Sequence, residues 1–136
     1  MRAESREFGL ANGYSPLAAG VACIDFDGTL FPFGELFAYN DPEPGAAEAL
    51  RALKAAGWTI VIFTSRFSRR WITGEGVSFA AQAGYVRHQL KAHNIPFDEI
   101  TAEKVPAEVY IDDRAIGYSS GQWPQIAEML TGRSVE

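Results

Sequence analysis

The fold follows from one segment, Val21–Leu30, which reads Val-Ala-Cys-Ile-Asp-Phe-Asp-Gly-Thr-Leu. Its first four residues are continuously apolar, which is typical of a strand in a parallel sheet that is covered on both faces. Two aspartates follow at once, separated by a phenylalanine, and a glycine comes next. The pattern predicts a buried strand that ends in a polar loop at one edge of a sheet.

Strands and helices alternate along the rest of the chain. Two further segments, Trp58–Phe63 and Val109–Ile111, are predicted strands, and Ile95–Ile100 is predicted to be a short strand or an extended segment. Three segments with apolar residues at helical spacing are predicted helices: Pro44–Ala56, Val77–His93 and Pro124–Leu130. This alternation predicts an α/β fold, a Rossmann-like three-layer sandwich with a mainly parallel sheet.

The helical spacing also predicts which side chains face the core. In the first helix these are Ala46, Ala49, Leu50 and Leu53. In the second they are Phe79, Ala83, Val86 and Leu90, and in the third they are Ile126 and Leu130. Two histidines, His88 and His93, fall on or near the second helix and are expected at its surface.

Length and composition limit the classes of protein to which the chain can belong. A chain of 136 residues fits one domain, which we place at 20–136 after a flexible segment at 1–19. The net charge of -5 disfavours non-specific binding to nucleic acid or to an anionic membrane. A single cysteine, Cys23, excludes an intramolecular disulfide. With no long apolar run and no apolar signal core, these features favour a cytoplasmic protein without a membrane partner.

Acidic and hydroxyl side chains follow three of the predicted strands. They are Asp25 and Asp27 after the first, Thr64 after the second, and Asp112 and Asp113 after the last. The carboxyl ends of parallel strands lie at the same edge of a sheet, where ligands bind. Four carboxylates gathered there would repel one another without a cation, and oxygen ligands suit a hard ion such as Mg²⁺.

Four segments in order resemble the motifs of the haloacid dehalogenase (HAD) superfamily. Asp25–Leu30 is similar to the first motif and Ile60–Thr64 to the second, while Lys104 and Ile111–Asp113 are similar to the third and fourth. The resemblance extends from Val21 to about Ile116. The short connections between the motifs leave no room for a separate cap domain, so the chain is similar to the capless members.

The resemblance implies a role for each catalytic residue. Asp25 would attack phosphorus and form an aspartyl-phosphate, and Asp27 would serve as general acid and then as general base. Thr64 would donate a hydrogen bond to a phosphoryl oxygen, and Lys104 would neutralise charge. An acid at position 27 favours phosphatase chemistry over dehalogenase chemistry.

The resemblance also implies metal and substrate contacts. Mg²⁺ would be bound by the carboxylates of Asp25 and Asp112, the backbone carbonyl of Asp27, and Asp113 directly or through water. The residues expected at the substrate are Gly28, Thr64, Ser65 and Arg66. Gly28 allows a sharp turn that brings backbone N–H groups to a phosphate. The basic loop 66–71, with Arg66, Arg69, Arg70 and Trp71, is either a phosphate-contacting lid or a solvated loop.

These patterns together predict a Mg²⁺-dependent phosphomonoester hydrolase that acts on a phosphorylated small molecule. Two alternatives remain open: a polynucleotide-end phosphatase that uses the basic loop, and a non-catalytic module that binds Mg²⁺ and phosphate. An acidic chain disfavours nucleic acid as the partner. Because a capless site would be open to water, a homo-oligomer that covers it is a further expectation.

Overall fold

The computed structural model describes residues 6–7, 10–11, 18–70, 72 and 78–134. The elements in chain order are β1 (Arg6–Glu7), β2 (Leu10–Ala11), β3 (Val21–Asp25), α1 (Ala46–Ala55), β4 (Thr59–Phe63), a 3₁₀ turn (Ser65–Phe67), α2 (Phe79–Ala92), β5 (Glu99–Thr101), β6 (Val109–Ile111) and α3 (Trp123–Thr131). The chain divides into two compact units, Ala18–Asp113 and a second one of Met1–Leu17 with Arg114–Glu136. The second unit contains α3 and the antiparallel pair β1-β2.

A four-stranded parallel sheet in the order β5-β4-β3-β6 forms the centre of unit 18–113. The crossovers from β3 to β4 and from β4 to β5 contain α1 and α2, which is the expected connection between parallel strands. Arg51 of α1 donates hydrogen bonds to the carbonyls of His93 and Asn94, the two residues that follow α2. The predicted α/β Rossmann-like sandwich is confirmed.

The centre of the core lies along β3 and β4 and in the turn that follows β3. Ile24, Ile60 and Ile62 are almost fully buried, as is Phe26 just past the end of β3. Cys23 is also buried in β3, and this burial raises the pKa of its thiol, as expected for an inert cysteine. The continuously apolar composition of these strands therefore matches their burial.

Both long helices differ in part from the prediction. In α1 the residues Ala47 and Leu50 are buried, whereas Ala49 is exposed, so its predicted inward position is wrong. In α2 Val86 and Leu90 are buried as predicted, but Phe79 is 52% exposed. The buried face of α2 includes polar side chains instead: Gln82, Tyr85 and Gln89.

Two predicted elements differ in detail from the structure. In the segment predicted as a short strand or an extended segment, strand β5 begins only at Glu99, because the Ile95 N–H donates to the carbonyl of Leu90 and closes the end of α2. Pro96 then follows, which has no backbone N–H to donate to a sheet. In α3 the side chain of Leu130, predicted to face inward, is 69% exposed. None of the helices in the described ranges is long and apolar enough to cross a membrane.

Candidate active site

The parallel register brings two aspartates to the same edge of the sheet. β3 pairs with β6 so that Ile24 is opposite Ile111, and the next residues are Asp25 and Asp112. Oxygen atoms of Asp25, Asp112 and Asp113 all lie within 4.8 Å of one another. Asp25 is half-buried, whereas the other two are exposed. The predicted convergence of the first and last strand ends is thus present for three of the four carboxylates.

A hydroxyl that the sequence reasoning did not single out joins this group. Thr29 Oγ1 lies 3.1 Å from Asp25 Oδ2 and 3.1 Å from Asp113 Oδ1. The same oxygen accepts a hydrogen bond of 3.0 Å from the backbone N–H of Asp113. A hydroxyl has one hydrogen, so it donates to only one of the two carboxylates at a time.

The environment of Asp25 disfavours its charged form. Burial is the main cause, followed by a hydrogen bond with Asp113 and the negative charge of Asp112, and together they raise the pKa of Asp25 to about 7. The hydrogen bond from Thr29 acts in the opposite direction. A cation beside these carboxylates would stabilise the ionised form of Asp25, since an opposite charge favours ionisation.

Gly28 lies in the turn after β3, where its backbone closely approaches Asp113 at the end of β6. Its φ angle is 88°, and a Cβ atom at this position would lie 2.6 Å from Asp113 Oδ2 and 2.5 Å from Phe33 Cε2. The need for glycine is therefore both conformational and steric. The N–H of Gly28 donates to the carbonyl of Phe31 over 2.7 Å and closes the turn. The predicted contact between backbone N–H groups and a phosphate stays a prediction.

The carboxylate of Asp27 is not one of the three convergent carboxylates and pairs with Arg66. Nε of Arg66 lies 2.8 Å from Asp27 Oδ2, and Nη2 lies 3.0 Å from Oδ1. The arginine thus contacts both carboxylate oxygens, in the bidentate geometry that a guanidinium favours. The Arg66 side chain is 8% exposed and that of Asp27 is 24% exposed.

The guanidinium of Arg66 is held from several sides. Its Nη1 donates to the carbonyl of Leu36 over 2.6 Å and to Oε1 of Gln82 over 3.1 Å. The ring of Tyr85 lies below the guanidinium, 4.5 Å from its central carbon. Arg66 therefore lies in an internal ion pair and does not belong to a solvated loop. Its expected contact with substrate has no support in this geometry.

The 3₁₀ turn explains how Arg66 reaches Asp27. Thr64 is 1% exposed, and its hydroxyl accepts a 3.1 Å hydrogen bond from the N–H of Arg66, which caps the turn. The predicted contact between Thr64 and a phosphoryl oxygen stays a prediction. Ser65, the next residue, is exposed, and its predicted contact with substrate is equally untested.

Lys104, the predicted charge-neutralising residue, is exposed. Its ammonium nitrogen lies 5.2 Å from the centre of the Tyr110 ring, and Tyr110 comes two residues before Asp112 on the same strand end. In the basic loop, Arg69 and Arg70 are exposed, while Trp71 lies outside the described residues. Because Arg66 pairs with Asp27, fewer arginines of the basic loop 66–71 remain to bind the phosphates of a polynucleotide, the alternative substrate.

The donor set fits a hard divalent cation. Asp25, Asp112 and Asp113 provide carboxylate oxygens that converge on one region, and Mg²⁺ prefers such ligands. The Asp27 carboxylate is not among these convergent groups, since Arg66 contacts both of its oxygens. The resemblance to the HAD motifs implies that Asp27 contacts the metal through its backbone carbonyl, and this contact stays a prediction.

Comparison with known proteins supports the fold alone. No family model and no curated protein sequence matches the chain. The fold is similar to the solved structure of a conserved protein from Bacteroides thetaiotaomicron, with a TM-score of 0.52 and 22% identity over 85% of this chain and 92% of that one. At this level of identity the likeness carries no statement about activity.

Proposed function

We propose that the chain is a Mg²⁺-dependent phosphohydrolase of the HAD type, in which Asp25 is the nucleophile. The observation that carries the proposal is the position of Asp25: it is half-buried at the end of a central strand and lies beside two exposed carboxylates, Asp112 and Asp113. A half-buried nucleophile beside exposed carboxylates suits phosphoryl transfer, which depends on positioning and on charge stabilisation.

In the first step a carboxylate oxygen of Asp25 attacks the phosphorus of a phosphomonoester. A new O–P bond forms while the bond between phosphorus and the leaving oxygen breaks, and Asp27 as general acid gives its proton to that oxygen, which yields an aspartyl-phosphate and the released alcohol. Mg²⁺ held by Asp25, Asp112 and Asp113 would supply positive charge next to the phosphoryl oxygens. Lys104, in the segment between β5 and β6, would add further positive charge.

In the second step water attacks the phosphorus of the aspartyl-phosphate. Asp27 accepts a proton from this water, the bond between phosphorus and Asp25 breaks, and inorganic phosphate leaves. The Asp25 carboxylate is thereby regenerated. Gly28 and Thr29 contribute indirectly, because the turn that they form holds Asp113 against the nucleophile.

The proposal is tested by phosphate release from a panel of phosphomonoesters, with Mg²⁺ and with EDTA. Asp25→Asn keeps the size of the side chain and removes the nucleophilic charge, so we expect it to abolish release. Asp41→Asn is the matched control, since Asp41 is an exposed aspartate outside the site. We expect this variant to retain the wild-type rate.

Three results would count against the proposal. Release that continues in EDTA would remove the role of the cation, and release that survives in Asp25→Asn would remove the nucleophile. A folded protein that binds Mg²⁺ but cleaves no compound of the panel would favour the non-catalytic binding module instead.

A further inference from the structure

We propose that Phe33 determines the substrate class of the site, because its exposed ring stacks on a flat aromatic group that the substrate carries next to its phosphate. This inference rests on the proposed function, since it takes the group of Asp25, Asp112 and Asp113 as the place where the phosphate binds. The substrates concerned are phosphomonoesters whose ester oxygen is joined to an aromatic ring directly or through one carbon. Saturated phosphomonoesters of the same size would be poorer substrates.

The inference depends first on the position of the Phe33 ring. A Cβ atom on Gly28 would lie 2.5 Å from Phe33 Cε2, 2.9 Å from Phe33 Cζ and 2.6 Å from Asp113 Oδ2. The edge of the ring and the carboxylate of Asp113 therefore meet at the same point beside Gly28. Oxygens of Asp113 and Asp25 lie within 4.8 Å of each other. A group attached to the ester oxygen of a phosphate bound at these carboxylates would thus be next to the ring.

The Phe33 ring also offers an accessible apolar surface. Phe33 is 58% exposed, whereas Phe31, two residues earlier, is 1% exposed and packs on Phe26 with the ring centres 5.0 Å apart. A single exposed apolar side chain is common on protein surfaces and by itself indicates no function. Phe33 differs from such a residue because it adjoins a group of carboxylates. The site therefore has a charged side and an apolar side, a combination that is typical of sites for small molecules.

The loop that contains Phe33 is held in place on both sides of this residue. Before it, the carbonyl of Phe31 accepts a 2.7 Å hydrogen bond from the N–H of Gly28. After it, three backbone carbonyls accept hydrogen bonds from buried side chains: Leu36 from Arg66 Nη1 over 2.6 Å, Ala38 from Tyr85 Oη over 2.5 Å, and Asn40 from Gln89 Nε2 over 3.3 Å. A ring on such a preorganised loop loses little conformational freedom when a ligand stacks on it.

The test compares kcat/KM for benzyl phosphate and cyclohexylmethyl phosphate. Both esters release a primary alcohol of similar acidity, so the leaving groups are matched and the two compounds differ in the flatness of the ring. We expect kcat/KM of the wild-type protein to be about 3–10-fold higher for benzyl phosphate, the range that corresponds to one aromatic pair. Phenylphosphonate and cyclohexylphosphonate serve as binding probes in the presence of Mg²⁺, because their P–C bond is not hydrolysed. Their affinities, measured by calorimetry, should show the same preference.

Two variants assign the preference to one ring. Phe33→Leu keeps an apolar side chain without a flat ring, so the two esters should become nearly equal substrates. A merely structural role of Phe33 would lower kcat/KM for both esters and leave their ratio unchanged. Tyr39→Leu is the matched control, since Tyr39 is a 71% exposed aromatic residue whose ring lies against Tyr85 and His88, with centres 6.0 and 4.9 Å apart. This variant should keep the wild-type ratio.

The possible outcomes separate this inference from the proposed function. Equal kcat/KM for the two esters in the wild-type protein would overturn the inference while the phosphatase activity stands, whether or not the variants fold. An unchanged ratio in folded Phe33→Leu would overturn it as well, and so would loss of the ratio in Tyr39→Leu. Absence of cleavage for both esters would overturn the proposed function, and the phosphonates would then decide the inference. Equal affinities for them would overturn it, and a preference for phenylphosphonate that Phe33→Leu removes would support it.

Discussion

Gly28 and Asp113 approach each other so closely that a Cβ atom on Gly28 would lie 2.6 Å from Asp113 Oδ2. The two residues are far apart in the chain, and their contact joins the turn after β3 to the end of β6. Asp113 in turn shares the Thr29 hydroxyl with Asp25. The glycine is therefore part of the arrangement that groups the three carboxylates.

We expect Gly28→Ala to weaken Mg²⁺ binding and to abolish phosphate release. The new methyl group would displace Asp113, and the φ angle of 88° adds backbone strain of about 1–2 kcal/mol for an L residue. Mg²⁺ affinity by calorimetry and unfolding by denaturant measure the two effects separately.

The matched control is Gly45→Ala. Gly45 has a similar φ angle of 82°, but a Cβ atom there would meet nothing within 4 Å. This variant should lose about 1–2 kcal/mol of stability and keep its Mg²⁺ affinity. Equal losses of Mg²⁺ affinity in the two variants would contradict a steric role for Gly28.

Replacing Thr29 by Val should lower kcat/KM by about 10–100-fold, because the variant loses a hydrogen bond to a charged group, worth about 1.5–3 kcal/mol. Valine has nearly the same shape as threonine, so the turn after β3 is preserved. Thr29→Ser keeps the hydroxyl and should retain most of the activity. If Val and Ser variants behave alike, the hydroxyl has no role in placing Asp25 and Asp113.

The raised pKa of Asp25 predicts how stability depends on pH in the absence of metal. Its pKa is about 7 in the folded protein against an ordinary value of 3.8, so the folded state binds the proton more tightly than the unfolded state. Between these two values the contribution of Asp25 to stability falls as pH rises. In EDTA, the stability of wild type relative to Asp25→Asn should therefore decrease from about pH 4 to pH 7.

Denaturant unfolding of the two proteins at several pH values checks this prediction. The comparison isolates residue 25, because other titrating groups contribute to both proteins. A constant difference across the pH range would mean that Asp25 keeps its ordinary pKa in the fold.

Mg²⁺ should offset the loss of stability at neutral pH. A cation that binds only the folded state stabilises it by about 2.7 kcal/mol at 100 times its dissociation constant. Asp112→Asn and Asp113→Asn should each reduce this gain, and Asp41→Asn should not, as Asp41 lies outside the carboxylate group. Stabilisation that persists in Asp112→Asn would place the cation elsewhere.

The sequence was sufficient to predict β3, β4 and β6 and the strand ends that meet, whereas only part of the predicted segment 95–100 belongs to β5. Continuous apolar segments identify β3 and β4, and a parallel sheet brings Asp25 and Asp112 together by register alone. The inward faces of the helices were harder to predict. Burial of Gln82 in α2 depends on its bond to Arg66, a tertiary partner that no hydrophobic pattern reveals.

The pairing of Asp27 with Arg66 could not be predicted from the sequence for a similar reason. The two residues are 39 positions apart, and their contact depends on the 3₁₀ turn that directs Arg66 inward. A basic loop of three arginines gives no sign that its first member differs from Arg69 and Arg70. The hydroxyl of Thr29 is a comparable case, since its partner Asp113 lies 84 positions later in the chain.

Chemical trapping of the intermediate tests the assignment of the nucleophile. Borohydride reduces an acyl phosphate, so protein quenched during turnover of an aryl phosphate should carry a reduced residue at position 25, read by mass spectrometry of its peptides. The label should need Mg²⁺ and should be absent in Asp25→Asn. Turnover with no modified residue at Asp25, or a label on another carboxylate such as Asp27, would contradict Asp25 as the nucleophile.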